Sequence, residues 1–243
     1  MTDRSSPAPL LLWAVTLLLA LAGGFAGAAL YDWSGMGSNN TRDYLLAHPE
    51  VLPEAFEVLQ HRDTLARLDP LRRELETPFP GAVLGNPDGT VTLVEFSDYA
   101  CGYCRHSVED VRALIKENPN LKVVMREYPI LTEKSIDAAR MALAAAKQGH
   151  YAQFHDNMFK MGPPSDETIT AAARKAGVDL DQARRDIAEG LFDQQLQANA
   201  ALAQQLGFNG TPSWVVGNDV MTGAVGKDRL AEAIEKAKET ATS

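Results

Sequence analysis

Both cysteines of this 243-residue chain lie in one motif, Cys101-Gly102-Tyr103-Cys104, set between a strand-like run and a helix-like run. The preceding stretch, Val91-Thr92-Leu93-Val94-Glu95-Phe96, is β-branched and apolar enough for a buried strand. Ser97 to Ala100 form a short connection. Arg105 to Glu117 then carries Val108, Val111, Leu114 and Ile115 on one helical stripe, and Asn118-Pro119-Asn120 breaks it. A disulfide within so short a motif closes a tiny ring and restricts the unfolded chain little, so stability is a poor reason for the pair. Reversible dithiol–disulfide chemistry is a better one.

Strand, short loop, Cys-x-x-Cys and helix follow one another as in thioredoxin. That order puts Cys101 at a helix N-terminus, where unpaired N–H groups and the macrodipole favour thiolate over thiol. Thiolate is both the nucleophile and the better leaving group, so the same electrostatics set exchange rate and redox poise. Cys104, one turn in, is expected to be more buried and to attack the mixed disulfide. The bland readings are a zinc half-site and an accident of spacing. Tetrahedral zinc wants four ligands, and the chain offers five scattered histidines and no second cysteine pair.

A second motif lies far downstream, at Gly210-Thr211-Pro212-Ser213-Trp214-Val215-Val216. A proline before an apolar run suits the first residue of a strand. The hairpin turn Gly217-Asn218-Asp219 follows, then a last strand near Val220-Met221-Thr222. Here the chain resembles the thioredoxin superfamily. The resemblance implies that Pro212 is a cis-proline packed against the cysteine pair. It also implies that the Thr211 backbone clamps an extended client by a short β-augmentation. An ordinary trans proline at a strand start is the alternative. Glu95 is the third position of interest, because a charge inside an apolar strand is expensive without a job or a partner. The superfamily often keeps a buried acid at this spacing, which implies a carboxyl of raised pKa taking the Cys104 proton. A strand-edge glutamate reaching solvent is the rival reading. His106, just past the motif, is assigned nothing.

The distance between the two motifs narrows the family. A second strand, Leu121 to Glu127, leads into Tyr128-Pro129-Ile130-Leu131 and then a long helical stretch. Helices are expected over Ile136 to Lys147, Tyr151 to Met161, a Ser165- or Asp166-capped segment through Lys175, Asp181 to Glu189, and Leu191 to Leu206. The expected fold class is α/β: a thioredoxin fold with an all-helical insertion at about 132–207. From about Gly81 to Glu239 the chain resembles the DsbA-like thiol:disulfide oxidoreductases. The likeness includes the Leu84-Gly85-Asn86-Pro87-Asp88-Gly89 opening turn and the Phe208-Asn209-Gly210-Thr211-Pro212 approach to the proline. One departure bears on activity. Strongly oxidising members carry Pro-His between their cysteines, whereas Gly102-Tyr103 stands here, a dipeptide also seen in periplasmic disulfide isomerases. Because the intervening pair tunes thiolate stability, a moderate oxidant, an isomerase and a reductase all stay open.

The N-terminal third addresses location. Met1 to Pro9 is short and polar, and Leu10 to Tyr31 is uncharged, apolar or small. About 20 such residues span a bilayer. A retained anchor is one reading of residues 1–33. A cleaved signal peptide, with its core from Leu10 to Ala22 and an Ala26-Gly27-Ala28 site, is the other. Either way the chemistry is exported, and the resemblance implies the bacterial periplasm. Residues 34–77 read as a polar linker, Ser34 to Asn40, and a helical segment. Its pieces are Thr41 to Ala47, Leu52 to Leu68 with Leu52, Ala55, Phe56 and Leu59 at helical spacing, and a short Asp69-Pro70-led helix ending near Glu76. Thr77-Pro78-Phe79-Pro80-Gly81 marks the boundary of the catalytic domain, 78–243. Some relatives of the copper-tolerance ScsC type, with a similar N-terminal helical stretch, oligomerise there, so a homo-oligomer is one implied assembly. No sustained heptad is present, and a monomer stays equally open.

Lys plus Arg total 23 against 32 Asp plus Glu, a formal charge of −9. The first 31 residues hold only Asp3 and Arg4, so the exported part carries that balance, which argues against nucleic acid. The sequence shows no Gly-rich phosphate loop and no metal-ligand cluster. The expected redox group is the Cys101–Cys104 disulfide itself, with no metal and no external cofactor. Expected partners are exported client proteins bearing thiols or disulfides, and a membrane redox partner of unknown identity. A non-catalytic dithiol holding Cu(I) through soft thiolates is the remote alternative, without Met or His support near the motif. Lys227 to Lys238 reads as an amphipathic terminal helix with Leu230 and Ile234 inward.

Overall fold

A computed structural model of the protein describes residues 8–33 and 39–241. It divides into two units, Met1–His61 and Arg62–Ser243. The first holds α1 (Ala8–Trp33), α2 (Asn39–Ala47) and most of α3 (Val51–Leu68). The stretch Leu12–Tyr31 of α1 has a mean hydropathy of 1.9 and is long enough to cross a membrane or to serve as a signal segment. Leu52, Phe56 and Leu59 of α3 are exposed. The readings for residues 1–7 and 34–38 lie outside the described residues.

In the second unit a 3₁₀ turn (Asp69–Leu71) and α4 (Arg72–Glu76) lead to β1 (Val83–Gly85) and β2 (Val91–Ser97). Then come α5 (Gly102–Glu117) and β3 (Leu121–Glu127). Five helices follow: α6 (Glu133–Lys147), α7 (Tyr151–Met161), α8 (Asp166–Ala176), α9 (Leu180–Ala188) and α10 (Asp193–Gln205). The hairpin β4 (Ser213–Val216) and β5 (Asp219–Thr222) and the helix α11 (Lys227–Ala241) complete the chain. Strand order is β1-β3-β2-β4-β5, with β2 and β3 parallel and every other pairing antiparallel. The parallel link runs through α5, as parallel neighbours need a crossover.

Alternation along the strands divides the core in two. Leu93, Val123, Met125 and Trp214 pack on one side with Val111 and Leu114 of α5, the insertion helices, and Leu230 and Ile234 of α11. Val94, Phe96, Val124 and Val215 pack on the other with Leu68, Leu75, Leu202, Leu206 and Phe208. Glu95 shares the side of Leu93, beneath α5. Each fully buried aliphatic side chain contributes roughly 1.5–3 kcal/mol. Truncating Leu114, which is 0% exposed, would cost about 2–5 kcal/mol.

Local differences from the sequence reading have simple causes. Leu84-Gly85 belongs to a strand rather than a turn: β1 is three residues long, too short to show a period, and pairs Val83 with Val124 and Gly85 with Lys122. Helix α5 starts at Gly102 rather than Arg105, because Cys101 itself is the N-cap. Helix α6 starts at Glu133 rather than Ile136, since the Thr132 side chain caps it by accepting from the Ser135 N–H at 3.0 Å. Ser165 caps α8 in a reciprocal box with Thr168.

Candidate active site

The turn from β2 into α5 fixes the two thiols. Cys101 has extended backbone angles, and its Sγ accepts the Cys104 N–H at 3.3 Å. The Cys104 thiol pulls the Cys101 thiol down to about 5, against the desolvation that opposes it. The Thr211 hydroxyl and the backbone N–H groups of Cys104 and Tyr103 act in the same direction. Cys104, 0% exposed, goes the other way. Burial, the Cys101 sulfur and the Glu95 carboxyl hold its thiol well above the ordinary range. Both cysteines are free thiols. The motif's middle residues face outward: Tyr103 is 69% exposed, and a Cβ on Gly102 would meet nothing within 4 Å.

Glu95 sits in the central strand, opposite Met125 of β3 and Trp214 of β4, and only 3% of it is exposed. It is not at a sheet edge. Burial lifts its carboxyl to about 8, the Ser97 hydroxyl partly offsets this, and Glu127 and Cys101 add to the rise. A second acid stands beside it. Glu127, at the end of β3, accepts from the Tyr151 hydroxyl at 2.7 Å and the Tyr99 hydroxyl at 3.2 Å. Burial also lifts Glu127 to about 8. Its neighbour Arg126 points to the opposite side, donating to the carbonyls of Glu74, Leu75 and Thr77 at the end of α4, and to Asn199.

The Thr211–Pro212 peptide bond is cis, and the Thr211 carbonyl accepts from the Cys101 thiol at 3.2 Å. The proline loop is tied on both flanks. The Pro212 carbonyl accepts from the Gly223 N–H at 2.7 Å, and the Ser213 hydroxyl donates to the Gly210 carbonyl at 2.8 Å. The fold therefore gathers Cys101, Cys104, Glu95, Thr211 and Pro212 around one spot. Among the described residues, no group of three or more His, Cys, Asp or Glu is placed to hold a metal ion.

Asp98 was missed by sequence reasoning. Buried at 1% exposure, it accepts the Ala100 N–H at 2.8 Å through one oxygen and the Ile130 and Leu131 N–H groups at 2.9 Å through the other. One carboxylate thus fastens the cysteine loop to the loop after β3. The available signal was an aspartate at a strand end, a residue type that bonds nearby backbone.

The DSBA-like thioredoxin domain family matches residues 92–235, more than half the chain. This chain belongs to that family. A second family, the copper resistance protein ScsC N-terminal domain, matches residues 42–64. A thioredoxin-like oxidoreductase from Silicibacter pomeroyi DSS-3 is 44% identical to the DsbA-like chain, with a TM-score of 0.62, covering 65% of this chain and 91% of that one. The thiol-disulfide exchange protein alpha-DsbA2 from Wolbachia pipientis is 26% identical with a TM-score of 0.66, covering 73% and 97%. The Na(+)/H(+) antiporter NhaA 1 of Salinispora arenicola is 27% identical over 158 residues, 64% of this chain and 24% of that protein. The DsbA-like chain thus spans about a quarter of the length of that curated relative. The fold is a mixed α/β thioredoxin fold with helical insertions.

Proposed function

We propose that this DsbA-like protein is an exported thiol:disulfide oxidoreductase that exchanges disulfides with periplasmic clients through Cys101-Gly102-Tyr103-Cys104. The split between the two thiols carries the reading: Cys101 pulled down to about 5, Cys104 pushed well up. In the oxidising direction a client thiolate attacks the Cys101 sulfur of the Cys101–Cys104 disulfide. Cys104 leaves and takes a proton from Glu95, whose raised pKa keeps it protonated at neutral pH. A second client thiolate then attacks the client sulfur of the mixed disulfide, and Cys101 leaves as a thiolate held at the α5 N-terminus. The client gains a disulfide and the protein ends as a dithiol. A membrane redox partner removes those electrons. The Thr211-Pro212 backbone holds the client as an added strand, beside exposed Tyr103, Ile130 and Leu131.

Oxidation is favoured over reduction because stabilising the thiolate stabilises the reduced protein, which makes its disulfide the stronger oxidant. A Cys101 value of about 5 lies between the ~7 of a reductant and the ~3.5 of a strong oxidant. The expected potential falls between about −270 and −120 mV. An oligomeric isomerase is the second reading. It draws on the ScsC-type match at 42–64 and the exposed Leu52, Phe56 and Leu59 of α3. The apolar helix α1 either tethers the protein to the inner membrane or is removed as a signal peptide. Cys104→Ser is expected to accumulate mixed disulfides with exported proteins, and Cys101→Ser to accumulate none. Trapping by Cys101→Ser alone would reverse the roles.

A further inference from the structure

Glu95 faces a problem that its own chemistry creates. In each oxidation it gives a proton to Cys104, and at 3% exposure it has no direct surface from which to recover one. Behind it lies a cavity of about 180 Å³ between β1, β2, α5 and α7. Glu95 and His155 line its depth, and Arg112 and Asp156 line it as well. These last two are partly exposed and pair with each other at 3.1 Å. The space is large enough to admit water at ~30 Å³ per molecule, and Glu95, His155, Arg112 and Asp156 are the polar side chains in an otherwise largely apolar lining.

His155 is unusual among the residues around this cavity. It is 3% exposed, and neither ring nitrogen has a hydrogen-bond partner. Its ring packs against Tyr151, Tyr99 and Phe159, with centroids 5.9, 6.0 and 5.0 Å away. Phenylalanine would fill such an aromatic nest without leaving buried polar atoms unpaired, a cost of about 1–3 kcal/mol each. Packing alone therefore does not account for an imidazole here. Its Nδ1 lies 4.0 Å from Asp156 Oδ1, within one bridging water of a surface carboxylate.

We propose that His155 relays protons between Glu95 and solvent through this cavity, leaving at the Arg112–Asp156 mouth. The inference rests on the disulfide-exchange reading of the cysteine pair. A neutral imidazole accepts at one nitrogen while donating from the other, so it passes a proton without storing charge. Burial holds His155 down to about 4, which keeps it neutral. Asp156 and Lys160 lie on α7, and Arg112 with its partner Glu109 on α5. Glu127 with its tyrosines Tyr99 and Tyr151 lies on the sheet side. Cys101 and Cys104 flank Glu95 itself. Arg112 disfavours a charged imidazole and Asp156 favours it, so the pair at the mouth leaves the neutral form in place.

The test compares His155→Phe and His155→Ala in the full chain, held in detergent. The readout is the stopped-flow rate at which the oxidised protein oxidises a model dithiol peptide. His155→Phe is expected to slow this step about tenfold near neutral pH, less than the ~10²–10⁴ of a direct acid–base group. The Cys101 alkylation rate should stay unchanged and the melting temperature unchanged or raised, since no relay acts on either. His155→Ala should be equally slow and be rescued by added imidazole, which fits the vacated space, whereas His155→Phe should not respond. A wild-type rate in His155→Phe, or a folded His155→Ala that ignores imidazole, overturns the relay alone. A wild-type chain that fails to oxidise the dithiol overturns the exchange reading instead.

Discussion

Cys101 and Cys104 share one turn of α5, but the rim on which the first sits and the floor in which the second is set are electrostatic opposites. On the rim, the Cys101 sulfur meets the Cys104 thiol and backbone N–H groups at the helix start, and the Thr211 side chain also holds it down. On the floor, Cys104 meets apolar packing and a carboxyl, and Glu95 and Glu127 are themselves lifted to about 8. Two residues, Gly102 and Tyr103, separate a site that favours negative charge from one that suppresses it. Polarity between two chemically identical thiols therefore needs no cofactor. It needs one at the helix end and the other a turn deeper, over acids that stay protonated.

The largest expected effect comes from neutralising the floor. Because the folded pKa of Glu95, about 8, lies above the ordinary 4.5, its contribution to stability is whole below about pH 4.5 and lost as pH rises through 8. Glu95→Gln removes that loss, so at pH 8 the variant should be more stable by about 2–4 kcal/mol. At pH 4 the two should melt alike. The Cys104 step should meanwhile slow by ~10²-fold. A variant that is both less stable at pH 8 and equally fast would remove the acid floor from the account.

A smaller effect tests how the rim depends on the floor's own thiol. Cys104→Ala deletes the largest stabiliser of the Cys101 thiolate. A hydrogen bond to a charged group contributes about 1.5–3 kcal/mol, so Cys101 should rise by roughly 1–2 pKa units, read from its alkylation rate against pH. No rise would assign the whole effect to the helix terminus. The smallest expected effect is at Thr211→Val. Its hydroxyl is buried with no hydrogen-bond partner, so stability should change by less than about 0.5 kcal/mol, while Cys101, which the Thr211 side chain helps to hold down, rises by about half a unit. A large loss of stability would make Thr211 a packing residue.

The long periodic elements were legible in the sequence. Leu121 to Glu127 and Tyr151 to Met161 match their observed bounds, because alternating and helical spacing over seven or more residues leaves little ambiguity. Strand β1 was not legible at three residues. Glu95 stood out as a charge inside an apolar strand. The same argument applies to Arg126-Glu127, and both are buried with named partners. Asp98 and His155 were beyond reach for another reason. Asp98 holds amides 32 and 33 positions away, and the rings and charges around His155 come from β2 and the loop after it, α5 and α7. Their roles exist only after the chain has folded, and no local spacing records them.

Titrating each thiol in the reduced protein shows whether one motif holds two thiols of opposite character. Alkylation rate against pH, resolved for each cysteine by mass mapping in the wild-type reduced protein, reports each group in the presence of the other. Cys101 should react with a midpoint near 5 and a plateau above it, while Cys104 shows no thiolate below about pH 9. Two thiols titrating together at the ordinary ~8.5 would contradict it.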